Sequence, residues 1–422
     1  MDVDTFVFKN GASLVYHPMP NMASVSVGIW VRTGSRYEKD DTSGISHFLE
    51  HLLFKGTRSR SALQISQEIE GIGGVLNGFT SEEYTCYYVK VLKHHIGKAI
   101  DILFDMILHP LLKPRDIEKE KGIIMEELNM YLDIPSHCVE DMLSEIMWHD
   151  HPLGRRILGR PATIRSMNKP KIIQYMKRNY SSSNIVIAVA GQASLQRLKD
   201  MIVPYCSRLY PGKQAEFRSY SIRQKEPCLK LENKKIEQTH LAMGFKACSR
   251  LDPDRYKAKL LSVILGGNMS SRLFQQVREK HGLAYAINSH LNQYVDTGSF
   301  EIQTGIKNRN ARQAVELIVK ELKKIKKQAV LKSELQMAKE YVIGQIMLSM
   351  ESTKNSMIQI GENMTTLGRV IPIQETLSQV RRVKISDIQE MAHHVFSSEN
   401  VNVAMMGTCP SKKFIRDVML NI

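Results

Sequence analysis

The 422-residue chain is longer than one hydrophobic core usually sustains, about 250–300 residues, so at least two domains are expected. Hydrophobic residues at 43% and charged residues at 24% are the balance of a soluble globular protein, and no run approaches the roughly 18 apolar residues of a membrane helix. The net charge of +15 is spread along the sequence, and its densest run, Lys323 to Lys327, ends a helical pattern, so it reads as a solvated face rather than a nucleic-acid site.

Asp2 and Asp4 open the chain, with no positive stretch followed by an apolar one. That argues against a secretory signal or a mitochondrial presequence, so the expected compartment is the bacterial cytoplasm rather than the mitochondrial matrix. A strand is predicted over Val25–Trp30. The next segment, Gly44 to Phe54, places Ile45, Phe48, Leu49, Leu52 and Leu53 at amphipathic helical spacing. Asp40, Asp41, Thr42 and Ser43 precede it as N-cap candidates. His47, Glu50 and His51 fall on the opposite face. Residues four apart stack on a helix, so both imidazoles can reach one ion, with Glu50 beside them. Two histidines could equally mark a solvated polar face, but the HxxEH spacing is more specific than that. Two imidazoles, one carboxylate and an open position are the usual catalytic zinc arrangement, so a third ligand is needed from another element.

After Gly73 to Tyr88 come two helices, Ala99–Ile107 and Arg115–Leu132, the second opened by Pro114. Glu120 and Glu127 are seven residues apart, two turns, and share a face. Ile185 to Ala190 reads as a buried strand. Cys86, Cys138, Cys206, Cys228, Cys248 and Cys409 form no CxxC pair, which fits small buried hydrophobes in a reducing compartment. The remaining histidine clusters, His94-His95, His149 with His151, and His393-His394, read as satisfied surface residues.

The chain repeats itself. Tyr180-Ser-Ser-Ser-Asn184 followed by a strand ending at Gly191 is matched by Phe396-Ser-Ser-Glu-Asn400 followed by a strand ending at Gly407, at a constant offset of 216. The helices Ala99–Ile107 and Arg115–Leu132 correspond to Ala314–Leu322 and Ser333–Met350, and the strand Val25–Trp30 to His240–Phe245. The expected fold is α+β: two homologous sandwich domains, each a mainly antiparallel sheet packed with helices. The divisions are residues 1–211, a polar linker at 212–226 and residues 227–422. The second half lacks the metal set. Its counterpart helix, Tyr256–Leu265, has no HxxEH, and Gln345 and Ala338 stand opposite Glu127 and Glu120.

With these motifs the sequence resembles the pitrilysin/insulysin (inverzincin) zinc peptidases over essentially its whole length, especially the short members similar to the mitochondrial processing peptidase β-subunit and its bacterial relatives. The resemblance implies one zinc per chain, held by His47, His51 and Glu127, the last being 76 positions after the motif's second histidine. It implies Glu50 as catalytic base and Glu120 as an acid that orients a ligand. Gly73 to Tyr88 looks like the family's active-site edge strand, so Asn77, Gly78, Phe79 and Thr80 are expected to bind substrate backbone; the family usually has Ala at the position of Gly78. Arg278 and Tyr285, seven apart, match a pair that reaches substrate, Arg278 gripping a carbonyl or carboxylate and Tyr285 stabilising the oxyanion. The implied activity is a metalloendopeptidase acting on peptides or unfolded polypeptide in a closed chamber formed by a homodimer, without nucleic-acid or membrane partners. The alternative is a non-catalytic partner or scaffold subunit, although such relatives typically lose part of the HxxEH set.

Overall fold

The computed structural model describes residues 3–221 and 224–422; Asp2 and two residues of the expected linker lie outside them. The chain forms two compact units, each an α/β layer structure. The first contains β1 (Asp4–Val7), β2 (Ser13–Pro18), β3 (Ser24–Val31), β4 (Val75–Thr80), β5 (Thr85–Leu92) and β6 (Ile185–Gly191), in the order β1-β2-β6-β3-β5-β4. The second contains β7 (Cys228–Asn233), β8 (Gln238–Ala247), β9 (Ala284–Gln293), β10 (Gly298–Lys307) and β11 (Val401–Gly407), in the order β7-β11-β8-β10-β9. Apart from the extra β1, the two orders match strand for strand. In each, one parallel pair, β2 with β6 or β7 with β11, joins an otherwise antiparallel sheet. This is the α+β duplication expected from the repeat. The predicted helices appear as Ile96–Leu108, Pro114–Leu132, Arg255–Gly266, Ala311–Lys327 and Lys332–Ser349.

The packing does not follow the two contiguous halves. The first unit comprises residues 1–128, 155–218 and 347–374, and the second comprises residues 129–154, 219–346 and 375–422. Each half of the chain therefore lends a helix to the unit built mainly by the other. Side chains alternate across a strand, so every buried strand presents two faces to cover. In the first unit Val27 and Ile29 face one way, and the Ile96–Leu108 helix packs on β3 and β5. Trp30, Cys86, Tyr88, Val186 and Ala188 lie in a second cluster with Met357 and Ile360 of the Thr353–Leu367 helix. That helix approaches closely because two glycines let it. A Cβ on Gly361 would lie 2.2 Å from Trp30 Nε1, and one on Gly28 would lie 2.5 Å from Met357 Sδ. In the second unit the Pro135–Met147 helix covers Ala242, Ala404 and Met406. There Lys246 donates to the Met147 carbonyl at the helix C-terminus, with its ammonium 3.2 Å from the centre of the Trp148 ring.

His151, expected on the surface, is instead 6% exposed, edge-on to Tyr220 and accepting a hydrogen bond from Leu153 N. All six cysteines are free thiols. Among the described residues no helix is long and apolar enough to cross a membrane.

The close approach at Gly361 gives a direct test. Gly361→Ala forces a methyl into the fully buried Trp30 ring, and overpacking of this kind costs about 1–3 kcal/mol. Its thermal melting temperature is expected to fall by several degrees relative to the parent.

Candidate metal centre

The HxxEH segment forms a helix over Ile45–Leu53, with Ile45, Phe48, Leu49, Leu52 and Leu53 turned into the core. Its start is set by Gly44, whose φ of 92° is the left-handed region open to glycine; a Cβ there would also lie 2.6 Å from the Leu158 carbonyl. The cap does not come from Asp40, Asp41, Thr42 or Ser43, because the left-handed Gly44 ends that turn before the helix begins. It comes from Glu38, a buried carboxylate that accepts from Gly44 N at 2.7 Å and Ser46 N at 2.8 Å. Burial pushes the Glu38 carboxyl up, and the hydrogen bonds from Ser46 and Gly44 oppose that shift. Ser46 is further tied to the Tyr175 hydroxyl, which also meets Thr33.

His47, His51 and Glu127 converge, as the family resemblance implies. Glu127 Oε2 lies 3.8 Å from His47 Nε2 and 3.7 Å from His51 Nε2, and one candidate ligand atom from each residue lies within 4.8 Å of the others. These separations are too long for hydrogen bonds and suit donors that share one ion. Glu127 Oε2 is shut off from solvent without a hydrogen-bond partner. A buried carboxylate oxygen in that condition is costly unless a cation meets it, so the donor set fits a bound zinc.

The two histidines differ in protonation. Burial, with His51 nearby, pushes His47 down to about 3, leaving a neutral imidazole able to ligate. His51 Nδ1 is 3.2 Å from Glu120 Oε2, which assigns its proton to Nδ1 and leaves the Nε2 lone pair facing Glu127. Desolvation lowers the His51 pKa, but Glu120, Glu127 and Glu50 together hold it above the usual value. Glu120 is 0% exposed and is balanced by Lys55, whose ammonium sits 2.8 Å from Oε1. Despite burial, His51 and Lys55 hold the Glu120 carboxyl below its usual range. Glu126, next to the ligand, points to solvent.

Glu50 is buried beside these residues and accepts a hydrogen bond from the Thr80 hydroxyl at 2.6 Å. Burial pushes its carboxyl up, and Thr80 opposes the shift. Thr80 ends β4, which pairs with β5 on one side and is the edge strand of the first sheet. The four residues expected to bind substrate thus behave differently. Asn77 is exposed, with Oδ1 accepting from Gly78 N. Phe79 packs on Trp30 and Tyr84 at ring separations of 5.6 and 6.3 Å. Gly78 faces the site: a Cβ there would come within 3.2 Å of Glu50 Cγ and Oε1.

Arg278 and Tyr285 belong to the second unit. Arg278 lies on a π-helical stretch, Phe274–Lys280, with its guanidinium over the rings of Phe274 and Tyr285 at 4.6 and 5.1 Å. Tyr285 is 79% exposed, free to meet another molecule rather than buried in a core. Sequence reasoning missed Glu38, Lys55 and the role of Thr80. Lys55 was within reach, since it lies four residues after His51, one turn further along.

This geometry is a metal-ready hydrolytic site, and similarity to known proteins agrees with it. The insulinase domain (peptidase family M16) matches residues 14–160, and the peptidase M16 inactive domain matches residues 166–342. A Bacillus subtilis protein named as an uncharacterized zinc protease, YmxG, is 37% identical over 94% of this chain and 96% of its own. An uncharacterized zinc protease of Rickettsia felis is 35% identical over 92% of this chain and 94% of its own. The chain belongs to the insulinase family of peptidases, family M16. The crystal structure of a protease from Helicobacter pylori superposes with a TM-score of 0.91 at 22% identity, over 96% of this chain and 99% of that one, and so shares the fold.

Two substitutions test this construction. Glu120→Ala removes the acceptor that orients His51, and zinc affinity measured against a chelator is expected to fall about 10–100-fold. Glu38→Ala leaves two buried N–H groups unpaired at the start of the metal helix and is expected to lower unfolding free energy by about 1–3 kcal/mol in a denaturant titration.

Proposed function

We propose that the protein is a zinc-dependent endopeptidase that hydrolyses extended peptides or unfolded polypeptide segments. The observation that carries this is the buried Glu127 oxygen flanked by the Nε2 atoms of His47 and His51, with Glu50 alongside. Zinc held by His47, His51 and Glu127 would supply a Lewis acid that polarises the scissile carbonyl and acidifies water.

The chain's own residues do the rest. Glu50 takes a proton from the attacking water as the new C–O bond forms. It returns that proton to the amide nitrogen as the C–N bond breaks, so the carboxylate is regenerated and one water is consumed per bond cut. Substrate backbone adds to the open edge of β4, a mode that reads extended chains with little demand on side chains. Arg278 grips a substrate carbonyl or carboxylate, and the Tyr285 hydroxyl donates to the carbonyl oxygen as negative charge builds on it. The working form is a homodimer enclosing the site in a chamber, which restricts substrates to short or unfolded chains. The bacterial cytoplasm is the proposed compartment.

The test is cleavage of a mixture of extended peptides by the purified protein and by its Glu50→Gln variant, with zinc quantified in both. The parent is expected to cleave. The variant is expected to hold equal zinc and to lose about 10²–10⁴-fold in kcat, the usual worth of a general base. A zinc-loaded parent that cleaves nothing would instead favour a partner or scaffold role.

A further inference from the structure

The hydroxyl of Thr80 does not point out to the edge where a peptide would lie. It donates to Glu50 Oε2 at 2.6 Å, a short contact of the charge-assisted kind. The other carboxylate oxygen, Oε1, receives no hydrogen bond from a described residue and faces Gly78, where the missing side chain leaves it room.

Thr80 is itself firmly held. It pairs with Thr85 across the β4–β5 hairpin, and the Thr85 hydroxyl donates to the Thr33 carbonyl. The hairpin turn is closed by Ser81 N to the Tyr84 carbonyl and by a buried ion pair, Arg36 to Glu83, at 2.7 Å. Being β-branched, Thr80 also has few rotamers to explore. The hydroxyl is therefore a fixed point on the sheet, while Glu50 stands on the metal helix.

We propose that Thr80 is a positioning residue for the catalytic base: it clamps Glu50 Oε2, so that Oε1, beside Gly78, is the oxygen that takes the water proton and returns it to the leaving amine. This rests on the peptidase reading above and goes beyond it by assigning the two oxygens separate roles. It also gives the Thr80 side chain the task of aiming the base, beside the backbone contact with substrate expected of its strand. Thr80 and Gly78 share the edge strand expected to receive substrate, so one strand would set both the peptide and the base.

The experiment compares Thr80→Val, which keeps shape and removes the donor, with Thr80→Ser, which keeps the donor. Steady-state cleavage, zinc content and melting temperature are measured for both and for the parent, and the crystal structure of metal-free Thr80→Val is solved. Misplacing a catalytic group by about 1 Å can cost on the order of 10²-fold, so Thr80→Val is expected to lose about 10–100-fold in kcat with KM within about twofold. Its zinc content and melting temperature should stay those of the parent, and Glu50 should leave its position in the metal-free crystal. Thr80→Ser should restore kcat to within about threefold of the parent.

A Thr80→Val enzyme with parental kcat, or with its loss confined to KM, would overturn the proposal. So would failure of Thr80→Ser to rescue, loss of zinc or of melting temperature, or a Glu50 that stays in place without the hydroxyl. Absence of cleavage by the zinc-loaded parent itself would instead overturn the peptidase reading, and this inference with it.

Discussion

One carboxylate oxygen organises the site. Glu127 Oε2 is closed off from solvent between the Nε2 atoms of His47 and His51, with no donor to satisfy it. An unpaired carboxylate oxygen in such surroundings opposes folding unless a cation compensates it. The neighbouring features follow from that constraint. His47 is driven neutral by burial, Glu120 fixes the proton of His51 on the far nitrogen, and Lys55 balances the charge that Glu120 brings into the interior. The surroundings thus leave His47 neutral and ready to ligate, whereas the acids around His51 favour its protonated form, and a bound cation would take the place of that proton on Nε2.

Support for this arrangement comes from parts of the chain distant in sequence. The Thr353–Leu367 helix, from the C-terminal half, closes the first sheet through Gly361 against Trp30, and Glu362 accepts from the Tyr84 hydroxyl. Trp30 in turn packs on Phe79 of β4. The strand that carries Gly78 and Thr80 is therefore backed by an aromatic wall that a helix from the other half of the chain completes. Precise placement of a catalytic group depends on such backing, since small displacements are expensive in rate. The duplicated second sheet keeps the strand order but has no HxxEH, an instance of function residing in side chains placed on a scaffold.

Much of this was legible in the sequence because it follows short periods. The i, i+4 histidines, the two-turn spacing of Glu120 and Glu127 and the 216-residue repeat each express a fixed helical or chain geometry. What escaped depends on tertiary position. The acids and hydroxyls just before the metal helix looked like its cap, but the turn at Gly44 hands that role to Glu38, an acid further back that only the folded loop returns to the helix end. The exchange of helices was hidden because a repeat shows which segments are alike, not which sheet face each one covers. His151 looked like a loop residue, yet Tyr220, distant in sequence, covers it. Thr80 belonged by position to the substrate strand, and only the approach of the metal helix reveals that its hydroxyl meets Glu50.

X-ray absorption at the zinc edge, on protein purified without added metal, bears most directly on the central claim. Expected is about one zinc per chain in an environment of two imidazoles and light oxygen donors with no sulfur, the imidazole signal being halved in His51→Ala. A zinc environment containing sulfur, or one unchanged by His51→Ala, would contradict the assignment of His47, His51 and Glu127 as the metal site.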